Sequence, residues 1–224
     1  MEELGKISIW TMNVGGVHLV FNRTTIYMTL AVMGVLLLFA VLASRNRGII
    51  PNPFQVVAEL FVGIFWGLTR DALEENMAKT YFPLICTLFM FLLMCNWIGI
   101  VPFMDEPTKD LNTTLGLGIM GFFIAHYAGI RTKGLKNYVV GYFQPIFFMM
   151  PLNVIGEIAK VVSISFRLYG NIMGGSIIIL VVSYLVYNLI IPPFLYAFFG
   201  LFVGTVQAFV FTMLTLVYIS VQVN

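Results

Sequence analysis

Residues 161–171 read Val161-Val-Ser-Ile-Ser-Phe-Arg-Leu-Tyr-Gly-Asn171, and Arg167 stands in them with apolar sequence on both sides. No Asp, Glu, Lys or Arg follows it through Asn224. A guanidinium cannot lose its proton to escape burial. At the centre of a bilayer it costs about 2.5–3.5 kcal/mol on insertion scales and roughly 10–17 kcal/mol in simulations of a lone helix. The stretch therefore makes the chain a membrane protein and makes Arg167 a functional residue whose partner has to be found.

Around Arg167 the polar residues fall into a pattern. Asn153, Glu157, Lys160, Arg167 and Asn171 are separated by four, three, seven and four positions, which is one face of an α-helix. Ile164 is on the same stripe and Ser163 lies beside it. Glu157 and Lys160 are three apart and can pair. Arg167 has no carboxylate within a turn or two, and the final hairpin offers none; within the chain, Glu59 is the remaining intramembrane candidate. The spacing points to a carboxylate on another subunit. The alternative is an Arg167 that snorkels to a headgroup or bonds backbone carbonyls. A voltage sensor would carry several spaced arginines, and this chain has one. Gln207 sits mid-way along the last apolar segment, where a side-chain amide needs a partner. It can bond across to the Arg167 helix, as part of a path or as a purely structural amide bond. Gly170 and Gly174, and Gly200 and Gly204, have the small-xxx-small spacing that lets helices approach.

Composition agrees with a bilayer. Of 224 residues, 60% are hydrophobic and 10% charged, and the mean hydropathy is +0.95. A net charge of +2 gives no footprint for nucleic acid. Cys86 and Cys95 are nine apart in one apolar run, too far along a helix for a disulfide, and read as small core residues. Glu2 and Glu3 precede any basic residue, unlike a secretory signal. His18 and His126 have no second ligand at metal spacing, so no metal is assigned. There is no phosphate loop and no nucleophile–base pair, so no catalytic site is expected.

Taken in order, residues 1–22 are mixed and read as lying at the membrane surface. Thr25 to Ala43 is a first span, closed by Ser44-Arg-Asn-Arg47. After Pro51 and Pro53, the segment Phe54–Leu73 is either interfacial or spanning; Glu59 and its charged tail favour the interface. Tyr81–Val101 and Leu111–Ile130 are the second and third spans, joined by the acidic loop 102–110. A helix from Leu152 to Asn188 would be about 55 Å long, against a hydrocarbon core of about 30 Å, so it must tilt, kink or be covered. Pro145 and Pro151 break its start, Pro192-Pro193 turns the chain, and Phe194–Val223 returns. The expected fold is all-α: about five transmembrane helices, one interfacial helix and a terminal, strongly tilted helical hairpin. It forms a single membrane domain over 1–224, with an N-terminal region and first span (1–53), an interfacial helix and two spans (54–141) and the hairpin (142–224). Placing Arg45, Arg47, Arg70, Lys79, Arg131, Lys133 and Lys136 inside leaves Lys6, Arg23 and Lys109 outside. The N-terminus is then outside and the C-terminus cytoplasmic, which holds with five spans and an interfacial 54–73.

The run Lys160-Val-Val-Ser-Ile-Ser-Phe-Arg-Leu-Tyr-Gly-Asn171 resembles the signature of subunit a of F-type ATP synthases, of the bacterial type. Pro107-Thr-Lys-Asp-Leu-Asn-Thr-Thr114, Gln144-Pro145, Pro151-Leu-Asn153 and Gly204-Thr-Val-Gln-Ala-Phe-Val-Phe211 extend the resemblance from about Pro51 to the C-terminus. It implies a non-catalytic, ion-translocating stator in the bacterial plasma (inner) membrane. Its partners would be a ring of c subunits, subunit b of the peripheral stalk and the lipid bilayer, with no nucleic acid. The family's essential arginine maps to Arg167, thought to keep the facing ring carboxylate ionised and to separate two offset half-channels. Its supporting Asn and Gln map to Asn171 and Gln207. Lys160, Glu157 and Asn153 extend the ion-translocation stripe. Many members carry Glu or His nine positions after the arginine and an ionisable residue seven before the glutamine. Here these are Ser176 and Gly200. No cofactor is implied, and the transported ion is H+ or Na+. The rival reading, a stand-alone transporter or channel using Arg167 to bind an anion, would call for internal repeats with broken helices, and none is visible.

Overall fold

The computed structural model describes residues 9–14, 17–44, 53–101, 104–142, 150–185 and 191–223. Strands β1 (Ile9–Val14) and β2 (Val17–Asn22) form an antiparallel hairpin pairing Ile9 with Asn22. This adds a small piece of sheet to the mixed N-terminal stretch: its alternating β-branched residues satisfy each other's backbone groups. The elements that follow among the described residues are helices: α1 (Arg23–Ser44), α2 (Pro53–Ala72), α3 (Glu75–Trp97) continuing as a 3₁₀ turn to Ile100, α4 (Leu111–Lys133), α5 (Leu135–Tyr142), α6 (Met150–Leu185), α7 (Ile191–Ala197) and α8 (Gly204–Val223).

Among the described residues, five helices are long and apolar enough to cross a membrane: Arg23–Ser44, Glu75–Ile100, Leu111–Lys133, Met150–Leu185 and Pro193–Val223. Helix α2 is not one of them, as its charged residues foretold. The long apolar segment is one helix of 36 residues. Pro151 stands in its first turn, where a missing N–H costs nothing. Residues 143–149, with Gln144 and Pro145, lie outside the described residues. Pro192 and Pro193, expected to turn the chain, stand instead in the first turn of α7; residues 186–190 lie outside the described residues.

Helix α8 runs between α3 and α4, and α4 in turn separates α8 from much of α6. Close approach comes from small residues on α4. A Cβ on Gly118 would strike the Ser165 hydroxyl, and one on Gly121 would stand 3.4 Å from Thr215 Cγ2. Ile85 and Leu92 of α3, Leu168 of α6 and Phe211, Leu216 and Ile219 of α8 are the core of the bundle. Helix α4 begins with Asp110 accepting from Asn112 N at 3.0 Å and ends on Gly134 at φ 78°. The outer faces of α1 and α6 leave Leu37, Leu38, Ile155 and Phe166 uncovered, which is how a lipid-facing or partner-facing helix is built.

Candidate ion-path site

The middle of α6 carries Arg167 and Asn171 one turn apart, and both are exposed. Asn171 Nδ2 donates to Gln207 Oε1 at 2.7 Å, joining the middle of α6 to the first turn of α8. Gln207 is 4% exposed, and its Nε2 has no acceptor among the described residues. Arg167 likewise has no carboxylate partner among them. The spacing argument therefore brings three residues to one place: a permanent cation on the surface of α6, an amide bridge beside it, and a buried amide donor left over.

The lower part of the stripe is a separate group. Lys160 Nζ lies 2.7 Å from Glu157 Oε1 and 5.7 Å from the Tyr218 ring centroid. Asn153 is half-buried and, with Glu157 and Lys160, lines a cavity of about 400 Å³ shared with Lys133, Asn137 and Gln222. Tyr138 Oη donates to Gln222 Oε1 at 2.9 Å behind it. The stripe is thus split: Asn153, Glu157 and Lys160 face a polar cavity, while Arg167 faces outward. Glu59 does not join Arg167. It accepts from Gln55 Nε2 at 2.7 Å and lines a cavity of about 550 Å³ bounded by α1, α2 and α3.

Ser176 is half-buried and returns its hydroxyl to Ile172 O at 3.0 Å. Gly200 lies within a π-helical turn, Phe198–Val203, between α7 and α8. A Cβ there would stand 2.5 Å from Ile100 Cγ1, so the space beside Gly200 is filled from the 3₁₀ extension of α3. The glycine pairs also divide. Gly170 and Gly174 meet nothing within 4 Å, while Gly200 and Gly204 are closed by Ile100 and Asn96. The first pair leaves an open face beside Arg167; the second packs inside the chain, against α3 and not against α6.

Sequence reasoning missed the groups that support α8. Asn96 is fully buried, donates from Nδ2 to Gly204 O at 2.8 Å and accepts from Thr108 Oγ1 at 3.0 Å. Trp97 Nε1 donates to Thr205 Oγ1 at 3.0 Å. The signal for Asn96 was the one used for Gln207, an amide inside an apolar run. His126 is a packing residue, its ring tilted 37° against Phe122 at 3.9 Å between centroids, with Nδ1 against Phe122 O at 3.0 Å. Cys86 and Cys95 are free thiols in α3. Beyond the end of α3, Glu106 packs its carboxyl against Gly99, and burial pushes its pKa above the ordinary 4.5 while Lys109 pulls the other way.

The profile of a family described as ATP synthase A chain matches residues 25–220. Curated relatives are similar over most of their length. The ATP synthase subunit a of Moorella thermoacetica is 38% identical over 197 residues, covering 88% of this chain and 89% of the relative. That of Desulforamulus reducens is 34% identical over 203 residues, covering 88% and 78%. That of Bacillus pumilus is 33% identical over 230 residues, covering 92% and 94%.

Proposed function

The chain belongs to the ATP synthase A chain family, the non-catalytic membrane component of F-type ATP synthases, and we propose that it couples ion flow to ring rotation through Arg167. The observation that carries the reading is the exposed Arg167 beside the Asn171–Gln207 bridge, with no carboxylate partner among the described residues. A cation placed there lowers the pKa of a carboxylate presented by a neighbouring subunit and favours release of its ion. A carboxylate held ionised cannot carry its ion past the arginine. Ions would then cross by two offset half-channels and travel between them on the ring. Gly170 and Gly174 leave the surface beside Arg167 free of side chains, which suits a closely approaching helix.

The partners in this reading are a ring of c subunits on the α6–α8 face, subunit b of the peripheral stalk and the bilayer. The N-terminus is outside and the C-terminus cytoplasmic, because that orientation puts seven of the ten non-stripe basic residues inside. The cavity bearing Asn153, Glu157 and Lys160 then opens toward the cytoplasm, and Ser176 and Gly200 lie on the outer half. The transported ion is H+ or Na+; neither Ser176 nor Gly200 can titrate, and the ring supplies the deciding ligands.

Crosslinking tests the reading. In the native complex, with Cys86→Ser and Cys95→Ala as background, Phe166→Cys should capture a small subunit bearing a membrane carboxylate. Phe166 is half-exposed and adjacent to Arg167. A complex in which position 166 captures lipid label only, and never that subunit, sinks the proposal.

A further inference from the structure

The feature that the proposed ion path leaves unused is the joint between α3 and the π turn. A π turn is an α-helix with one residue too many. If Phe198–Val203 relaxed to α geometry, everything on one side of it would rotate by about 100° and shift by about 1.5 Å. Gln207 begins one turn after this segment. A rotation of that size would carry its amide away from Asn171.

Three contacts hold the turn. Ile100 fills the space beside Gly200, and Phe199 fills the space beside Gly175, where a Cβ would stand 2.9 Å from its ring. At the exit, Asn96 Nδ2 bonds the carbonyl of Gly204, the first residue of α8. Gly204 has no side chain in the way, and a Cβ there would lie 3.0 Å from Asn96 Cβ. The Asn96 amide is itself fixed in rotation by Thr108, which is fully buried in the 3₁₀ turn before α4. The apolar contacts set how close the helices come. The amide bond is directional, and so sets which residue of α8 stands at that height.

We propose that Asn96 is a positioning residue that locks the π turn and thereby fixes the register of α8, so that Gln207 and no neighbouring side chain meets Asn171. The placement of Gln207 rests on geometry alone; the consequence for ATP synthesis rests on the function proposed above.

The test uses the assembled complex in membranes, in a background without Cys86 and Cys95. With Asn171→Cys and Gln207→Cys, a short bifunctional methanethiosulfonate reports whether the two positions still face each other. Adding Asn96→Leu should lower the crosslink yield about tenfold, the scale of losing a buried amide's hydrogen bond. Deleting Phe202, an exposed residue of the π turn, on top of Asn96→Leu should restore the yield, because the turn can then become α-helical with both ends in place. A residue that merely stabilised the fold would not be rescued by a deletion. An undiminished crosslink in Asn96→Leu, or no rescue by the deletion, overturns the proposal. If the Asn96→Leu forms do not accumulate, Thr108→Val decides: it frees the Asn96 amide to rotate, and an unchanged crosslink in that variant overturns the proposal as well. The same substitutions in the chain with native Asn171 and Gln207 should lower ATP synthesis in parallel. Loss of the crosslink without loss of synthesis would instead refute the functional role given to Gln207, leaving the positioning role intact.

Discussion

Asn171 on α6 and Gln207 on α8 are joined by a 2.7 Å hydrogen bond that uses the Gln207 oxygen and leaves its nitrogen buried without an acceptor among the described residues. A buried donor without a partner costs about 1–3 kcal/mol. Gln207→Leu removes that cost but also removes the bridge, so its net effect on the isolated fold is small. Its effect on function is not small if the bridge positions the ion path. ATP synthesis should fall about five- to 150-fold, the range that 1–3 kcal/mol converts to, with the subunit present in membranes at normal abundance. Normal synthesis by membranes containing the variant would show the bridge to be structural only.

Arg167→Ala should abolish coupled ATP synthesis while leaving insertion intact, because removing a charge from an apolar helix makes insertion easier, by about 2.5–3.5 kcal/mol on insertion scales. Arg167→Lys keeps the charge but not the planar fork, and should fall in the same direction. Immunodetection of the subunit alongside ATP synthesis in inverted vesicles separates the two properties. Synthesis at the unmodified level in Arg167→Ala would contradict the assigned role.

What the sequence told, and what it withheld, follows from the range of the interactions. The polar stripe on α6 was legible because helical periodicity is local, and the structure keeps Arg167 and Asn171 one turn apart on one exposed surface. Charge density sets α2 apart from the five helices that are long and apolar enough to cross a membrane. The division of the stripe was not legible: Glu157 and Lys160 turn to a cavity shared with α5 and α8, a property of packing partners far away in the chain. The Gly200–Gly204 spacing was visible, but not the element it packs against. Only the fold shows that Ile100 and Asn96 of α3 and its 3₁₀ extension occupy those two spaces. The π turn has no sequence signature beyond a glycine, because an extra residue in a helix is paid for by neighbours.

Glu106 allows a pH prediction outside the spans. Its side chain is 12% exposed, and burial is the largest influence on its pKa, raising it above 4.5 against the pull of Lys109. A carboxyl that binds its proton more tightly when folded contributes stability at low pH, and that contribution is lost as pH rises through the raised pKa. Glu106→Gln should therefore flatten the acid-side pH dependence of the melting temperature and raise that temperature at neutral pH. Lys109 keeps Asp105 as a partner at 3.7 Å, so the substitution does not strand it. Melting curves of the detergent-solubilised complex across this range provide the check; an unchanged pH profile would contradict the burial argument.

Ion choice can be read without altering the chain. A path whose carboxylate binds sodium through oxygen ligands makes ATP hydrolysis by the coupled complex depend on sodium, and makes sodium protect the ring carboxylate from carbodiimide. A proton path shows neither effect at neutral pH. Sodium-independent hydrolysis, with no protection, would remove the sodium reading; stimulation and protection together would remove the proton one.

The sharpest structural prediction concerns Gly200, the position where the family resemblance leads one to expect an ionisable residue. Restoring a carboxylate there by Gly200→Glu should fail, because the new Cβ would stand 2.5 Å from Ile100 Cγ1 and 3.1 Å from Ile100 Cδ1. Overpacking of this kind costs about 1–3 kcal/mol in a packed interior, and here it also pushes on the turn that sets α8. The obstacle is one flexible side chain, not backbone. The double variant Gly200→Glu with Ile100→Ala should therefore recover membrane abundance that the single variant loses. Ile100→Ala alone should leave a cavity and cost about 2–5 kcal/mol if the site cannot collapse. The two substitutions are thus each harmful and jointly milder, a coupling that quantitative immunoblots of the four forms can measure. Equal abundance of Gly200→Glu with and without Ile100→Ala would show that Ile100 is not what closes this position.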